Sequence, residues 1–347
     1  MRSWRPEPEP PPPGDPATME EVRRQMEAGD EPLPPGAHRH GDQVHLEAHA
    51  HPHVTAADDG RPVIGIVGAG AVGTALGVAL TRAGWHVGVV ASRDPSRRER
   101  FRALVPGARA FPEAVSILDE CHLAILAVPD DALAGLAATL HLYSGQAIVH
   151  TSGLHGADVL APALAAGTSA GSFHPLVAFA DLERALVALP GATVAIEGDD
   201  ALLDLLAEMA ESIGCMPVRL EPGSKAAYHA AAVLAAGGLT ALLDVVAAVA
   251  APTGLDEAGA LAVYGPLAAQ ALANAGALGT GVALTGPAVR GDAGTITAHL
   301  AAVAIAGDEE LEVYRALGLR QVTMAETRRG LAPEAAARLR AAFTRFR

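Results

Sequence analysis

The sequence predicts an α/β domain built on a parallel sheet at 61–220, then an all-helical domain at 221–347, behind a disordered tail at 1–60. Three observations predict this. Apolar strand-like runs alternate with helical stretches from Arg61 onward. The first run opens through a glycine-rich turn into a helix. Strand patterns stop after MPVRL (216–220), and from Ser224 nearly everything is helical, with breaks near Pro252, Gly265, Gly286–Gly291 and Pro333.

The tail is set apart by composition. It holds 11 of the 25 prolines and 12 acids against 5 basic residues, half of the net charge of −14. PEPEPPPPGDP cannot build a packed element and favours extended, disordered chain. His38, His40, His45, His49, His51 and His53 follow. Alternating imidazoles can chelate zinc, nickel or copper, but no Cys or rigid scaffold fixes a geometry, so no metal site is assigned. A solvated low-complexity segment is the competing reading.

The body opens with VIGIV and Gly68-Ala69-Gly70-Ala71-Val72-Gly73. In this strand–turn–helix context the first glycine permits the tight turn. The second lets the backbone approach a pyrophosphate, and the third allows close helix–strand packing. N–H groups of the first helical turn, at Ala71 and Val72, meet the phosphates. The expected sheet is therefore of the Rossmann type. WHVGVVASR is the second strand, tipped by Ser92 and Arg93 where an NAD site usually carries an acid. Hydroxyl and guanidinium suit a 2′-phosphate, so NADP is expected over NAD, and Asp94 can cap the next helix.

HLAILAVPDD and QAIVHTSG are the next strands, so Val128, Pro129 and Ser152 are expected to line a nicotinamide; plain turn chemistry is the alternative for each. SFHPLVAF puts His174 inside an apolar run ended by Pro175, either facing a cleft or as a satisfied core histidine. GTSAG (167–171) fits a nucleophile pattern, but it runs into a strand where an elbow needs strand–turn–helix. ATVAIEG is a further strand, and Asp199 and Asp200 can cap the helix ALLDLLAEMAESIG.

Lys225 is the only lysine in the chain, alongside 24 arginines. With Tyr228 and His229 it falls at i, i+3 and i+4, one face of a helix beginning near the domain boundary. An ammonium can protonate a developing alkoxide, which a guanidinium cannot do near neutral pH. A surface lysine that escaped drift to arginine is the competing reading. In ALTGPAVRGDAGTITAHL, Thr285, Arg290 and Asp292 lie in a loop entering a helix. Arg290 could clamp a substrate carboxylate and Asp292 could cap the helix, or the two could form a purely structural turn.

Charge and composition exclude some classes. The net charge of −14 argues against nucleic acid and anionic membrane as partners. Ala230–Ala251 is long enough to span a bilayer, but it carries Asp244 and is mostly Ala and Gly, so it is expected as a buried core helix. Cys121 and Cys215 sit beside apolar runs and read as small buried residues in a reducing compartment. No apolar h-region follows the N-terminus, and a cytoplasmic protein is expected.

IGIVGAGAVGTALGVAL, LAVPDDAL, HTSGLHGADVL, GSFHPLVAFAD, KAAYHAAAVLAA and ALTGPAVRGDAGTITAHL occur in this order over about residues 63–303. Together they resemble the Rossmann-like short-subunit dehydrogenases whose C-terminal helical domain has no assigned function. The resemblance implies a fold like those of 6-phosphogluconate dehydrogenase, ketopantoate reductase and pyrroline-5-carboxylate reductase, NADP as cofactor, and a homodimer through the helical domain. It also implies Lys225 as proton donor. His229 stands where hydroxyacid members carry an Asn, and Ala236-Gly237 where closer members often show Ser-Asn.

The resulting expectation is an NADP-dependent oxidoreductase of a small 2-oxo carboxylate, with 2-dehydropantoate the first candidate. Lys225, His174 and His229 would be catalytic, and Tyr228, Thr285, Arg290 and Asp292 would bind substrate. A non-catalytic NADP(H) sensor is the alternative. The His174-Pro175 pair, similar to one in prephenate dehydrogenases, keeps that chemistry open as well.

Overall fold

A computed structural model describes residues 60–345, together with an antiparallel pairing of His38–His40 with Gln43–His45. The remainder of the tail expected to be disordered, and the side chains of its six histidines, lie outside the described residues. The chain divides into two compact units, Met1–Ala232 and Val233–Arg347. The strand patterns end near 221, but the first turns of the next helix belong to the sheet-bearing unit, because Lys225 and Tyr228 bond to strand-end residues.

The first unit is built on eight strands: β1 (Ile64–Val67), β2 (Val87–Ala91), β3 (Arg109–Phe111), β4 (Leu123–Leu126), β5 (Ala147–His150), β6 (Ser169–Pro175), β7 (Thr193–Glu197) and β8 (Met216–Arg219). Their order across the sheet is β8-β7-β6-β5-β4-β1-β2-β3. β1 to β6 run parallel, with the order reversing about β1 as in a doubly wound sheet. β7 runs antiparallel to β6 and parallel to β8. β6 ends at Pro175 opposite Val194, so β7 starts at the edge where β6 stops and no crossover is needed.

Helices α1 (Ala71–Arg82), α2 (Pro95–Leu104), α3 (Asp130–Ala137), α4 (Leu182–Ala188) and α5 (Asp200–Ser212) connect the strands, and α6 (Lys225–Val233) follows β8. Strand side chains alternate between two buried clusters. One gathers Ile64, Ile66, Val90, Ile125 and Phe173, the other Val67, Val89, Ala124, Leu126 and Ile148. Burial on both faces is what the near-continuous apolar strands require. Cys121 and Cys215 are free thiols within these clusters, and burial pushes them up to about 12 and about 11. Asp94 and Asp199 cap α2 and α5 as their positions suggested.

The second unit is helical: α7 (Leu239–Ala250), α8 (Glu257–Ala283), α9 (Pro287–Arg290), α10 (Ala293–Ala306), α11 (Asp308–Arg329) and α12 (Pro333–Arg345). A π-turn at Leu234–Gly238 leads into α7. Ile296, Leu300, Val322, Leu339 and Phe343 form its core. Three of the four expected breaks occur: at Pro252 with left-handed Gly254, at Gly286–Gly291, and at Pro333. Gly265 does not break the chain. α8 continues through Pro266, whose fixed φ is compatible with a helix, and is interrupted instead at left-handed Gly279.

Lys225–Thr253 and Glu257–Arg290 are each long and apolar enough to cross a membrane, by length and composition. The expectation of a buried core helix at Ala230–Ala251 fails, because the most apolar stretch of that helix is not buried. Leu234 is 73% exposed and Leu272 70%. Ala247, Ala250 and Ala260 close into a small cluster with Leu255 and Tyr264, and Val249 packs against the core of the unit. High apolar content shows that a surface needs covering, not that its own chain covers it.

Candidate active site

The three glycines of the β1–α1 turn separate by what a side chain would meet. Gly68 has φ +105, and a Cβ there would stand 2.2 Å from the Ala127 carbonyl oxygen. A Cβ on Gly73 would stand 2.0 Å from the Gly68 carbonyl oxygen. Both positions are closed by the protein's own backbone. At Gly70 nothing lies within 4 Å. Gly70 is also the N-cap of α1 and offers no side-chain acceptor, so the first N–H groups of the helix, from Ala71 to Gly73, are left for an external anion. The open side of Gly70 and this helix end fit a pyrophosphate.

The β2 tip holds Ser92 half-buried and Arg93 exposed. Arg98 donates through Nη1 to the Ser92 carbonyl oxygen at 2.5 Å, and Asp94 accepts from the Ser96 and Arg97 N–H groups. Arg98 and Asp94 are thus engaged in building the turn, and Arg97 Nε lies 3.5 Å from Asp94 Oδ2; the Ser92 hydroxyl and the exposed Arg93 guanidinium remain candidates to meet a phosphate. Val128 and Pro129 follow β4 and lead into α3, as expected.

A buried polar cluster lies across β5 to β7. Register sets Val67, Leu126, His150, Ser172 and Glu197 in one row across five strands. His150 is fully buried. Its Nδ1 accepts from Ser152 N–H, so its proton is on Nε2 and is donated to the Gly156 carbonyl oxygen at 3.0 Å. Burial, aided by the nearby Lys225, lowers it to about 4. The Ser152 hydroxyl accepts from the N–H groups of Leu154 and His155. These bonds fix the loop after β5 and present the Ser152 carbonyl.

Lys225 is the first residue of α6, delivered by a Pro222-Gly223 turn closed from Ser224 N–H to the Glu221 carbonyl. Only 3% exposed, its Nζ donates to the Ser152 carbonyl at 2.9 Å and lies 3.7 Å from Glu197 Oε2. Burial pulls the ammonium below its ordinary value, and Glu197 and then Asp130 oppose that pull. Glu197 Oε2 accepts from the Ser172 hydroxyl at 3.0 Å. The sole lysine is therefore a buried, partnered group, and the surface-lysine reading is excluded.

Tyr228 and His229 share Lys225's side of α6. His174 Nδ1 and the Tyr228 hydroxyl are hydrogen-bonded at 3.0 Å. Burial lowers His174 to about 4 and raises Tyr228 to about 12, so both are neutral near pH 7. His229 stands edge-on to His174 with ring centroids 5.9 Å apart, and its Nδ1 is buried without a hydrogen-bond partner. Both rings converge on Gly153.

Thr285, Arg290 and Asp292 lie in the second unit. Asp292 caps α10, accepting from Thr295 N–H at 3.0 Å and Thr295 Oγ1 at 2.6 Å, which holds its carboxyl below the usual range. Arg290 is exposed at the end of α9, and Thr285 is exposed. Sequence reasoning missed Glu197 and took His150 only as part of the strand end before the Ser152 loop, with no role of its own. The available signal was an ionisable residue ending an apolar run, at TVAIE and at AIVH. GTSAG enters β6 directly and forms no nucleophile elbow. Among the described residues no group of three or more His, Cys, Asp or Glu could hold a metal ion.

Residues 50–175 match the sequence profile of a Rossmann-like domain, and residues 192–321 that of a domain of unknown function, DUF2520. No curated protein matches the chain in sequence. Among solved structures, a Bacteroides fragilis protein described as an NADP oxidoreductase is 22% identical, covering 76% of this chain and 97% of its own, with a TM-score of 0.61. A Thermotoga maritima protein is 24% identical over 77% of this chain and 100% of its own, with a TM-score of 0.56. A reductive aminase from Aspergillus terreus, in complex with NADPH and ethyl-5-oxohexanoate, is 17% identical over 80% and 98%, with a TM-score of 0.60. At these identities the likeness is one of fold.

Proposed function

We propose that the chain is an NADP-dependent reductase acting on the C=O, or the chemically similar C=N, of a small carboxylate-bearing substrate, with 2-dehydropantoate the first compound to test. One observation carries the reading. The sole lysine ammonium is anchored on the Ser152 carbonyl, at the same sheet edge as the open glycine turn and two strands away from it. At about 4.8 Å between neighbouring strands, that separation is about 10 Å, and both groups lie at the carboxyl ends of parallel strands, where open α/β sheets bind their ligands.

NADPH, when bound, supplies the hydride. The N–H groups of Ala71, Val72 and Gly73 hold the pyrophosphate, and Ser92 and Arg93 the 2′-phosphate. Val128, Pro129 and Ser152 line the ring. Lys225 commits one N–H to the Ser152 carbonyl and turns toward Glu197, so one of its three donors is left for the substrate heteroatom that gains negative charge. His174 and His229 orient the substrate beside Gly153. The exposed apolar helices of the second unit pair with those of a second copy, giving a homodimer. Two free, buried cysteines accord with a reducing, cytoplasmic setting.

Loss of NADPH absorbance against a panel of 2-oxo acids and cyclic imines tests the activity, with prephenate and NADP+ assayed for the reverse direction. Lys225→Ala should lose at least about a hundredfold in kcat, the usual share of a general acid. Equal turnover by that variant would remove Lys225 from the chemistry. A second reading, a non-catalytic NADP(H) sensor, is favoured by the burial of Lys225 and by His229 in place of the relatives' Asn. It predicts NADPH binding in calorimetry with no substrate turned over.

A further inference from the structure

Lys225 is buried with few polar partners, and burial disfavours its charged form. Its environment contains five other charged or titratable groups. His150 on β5 and His174 on β6 are neutral near pH 7 and contribute no positive charge there. His229 lies one helical turn along α6, beside His174. Asp130, the first residue of α3, supplies a weaker attraction than Glu197. Among the described residues, Glu197 alone brings a carboxylate within 4 Å of Nζ.

The way Glu197 reaches this position is particular to the fold. β7 runs against β6, so its last residue falls opposite Ser172, in mid-strand, and not at an outer loop. Glu197 is 9% exposed and Ser172 fully buried, and the hydroxyl of one is bonded to the carboxylate of the other. The carboxylate is braced from the sheet side and faces the ammonium on the other. Glu197 and Lys225 also lie within the same matched stretch, 192–321, although one is on a strand and the other on a helix.

We propose that Glu197 is the positioning residue that keeps Lys225 charged and aimed, and that it thereby sets the upper pH limit for any proton the lysine delivers. This rests on the reductase reading only in its last clause; the control of the lysine's charge stands apart from turnover. It makes Glu197 a requirement of the site and not a passive core acid.

The single lysine allows a direct test on the full chain. Lysine labelled with 13C at Cε gives one side-chain signal, whose shift is followed against pH. Glu197→Gln, nearly isosteric, should lower the Lys225 titration midpoint by at least about one pH unit, the usual effect of losing an opposite charge at this range. Asp130→Asn should lower it by less. A midpoint unchanged within about 0.3 units in Glu197→Gln overturns the proposal.

Should that variant fail to fold, Glu197→Asp retracts the same charge by one methylene. It should lower the midpoint by a smaller amount, and an unchanged midpoint again overturns the proposal. With a substrate in hand, the alkaline limb of the kcat profile should move with the lysine midpoint. A midpoint that moves without turnover by the wild type rejects the reductase reading and leaves the Glu197 assignment intact. Turnover with an unmoved midpoint does the opposite.

Discussion

Gly153 lies against the imidazole of His229: a methyl group on its Cα would stand 2.3 Å from Nδ1 and 2.9 Å from His174 Nε2. Neither ring can retreat freely, since His174 is tied to Tyr228 and His229 Nδ1 is buried. Gly153→Ala should therefore destabilise the first unit by about 1–3 kcal/mol, the cost of overpacking. Urea unfolding reports it through the fluorescence of Trp85, buried and bonded to Ser212, in a Trp4→Phe background. Adding His229→Ala should recover part of the loss. Equal midpoints for Gly153→Ala and its parent would show that the rings yield.

The glycine turn yields a contrast within one motif. Gly70→Ala meets nothing and should unfold with its parent, while NADPH binding weakens at least about tenfold, a loss of about 1.4 kcal/mol. Gly68→Ala combines positive φ with a backbone clash and should cost at least about 2 kcal/mol of stability. Calorimetric titration together with unfolding curves separates the two. Unchanged NADPH affinity in Gly70→Ala would put the pyrophosphate elsewhere.

Acid should loosen the first unit before its carboxylates titrate. His150 and His174 sit at about 4 in the folded chain against an ordinary 6.5, so between these values the unfolded chain binds more protons. The stability they confer is fully present above about pH 6.5 and is lost as pH falls toward 4, by about 1.4 kcal/mol per unit for each ring. Urea midpoints between pH 7 and 5 should fall accordingly, and His150→Gln should reduce the slope. A flat response would mean that these rings titrate alike in the folded and the unfolded chain.

The exposed leucines of α8 predict a change of assembly. Leu267 is 61% exposed and Leu272 70%, both on a helix with little burial in its own chain. Light scattering on the purified chain should give twice the monomer mass. Leu267→Glu with Leu272→Glu should give the monomer, because charge at the centre of an apolar interface is strongly disfavoured. A monomeric wild type would leave these helices to another partner.

The glycine turn and the two caps at Asp94 and Asp199 were legible because each depends on a few adjacent residues and a local backbone demand. His174 and Lys225 were legible as chemical oddities within apolar or lysine-free surroundings. Their mutual arrangement was not, since it depends on strand register and on a helix returning to the sheet. Glu197 escaped notice for the same reason: nothing in TVAIE says that the strand runs backwards. The exposed apolar helices were misjudged because hydropathy records what must be covered and carries no information on which chain covers it. The break expected at Gly265 moved to Gly279, where φ is positive; a helical glycine and a helix-compatible proline leave no mark of their own.

The reversed strand has a consequence for folding. Val194, Ala195, Ile196 and Glu197 are all buried, so no wet face exists to tell one alignment of β7 from the next. Slipping the strand by one residue would cost little in apolar contact, but it would turn the carboxylate to the opposite side and strand the ammonium without its counter-charge. Buried ionic groups serve best where they choose between alignments that grease alone cannot rank. Glu197 and Lys225 would then act, before any ligand arrives, as the proofreading mark that lets only one threading of the sheet close.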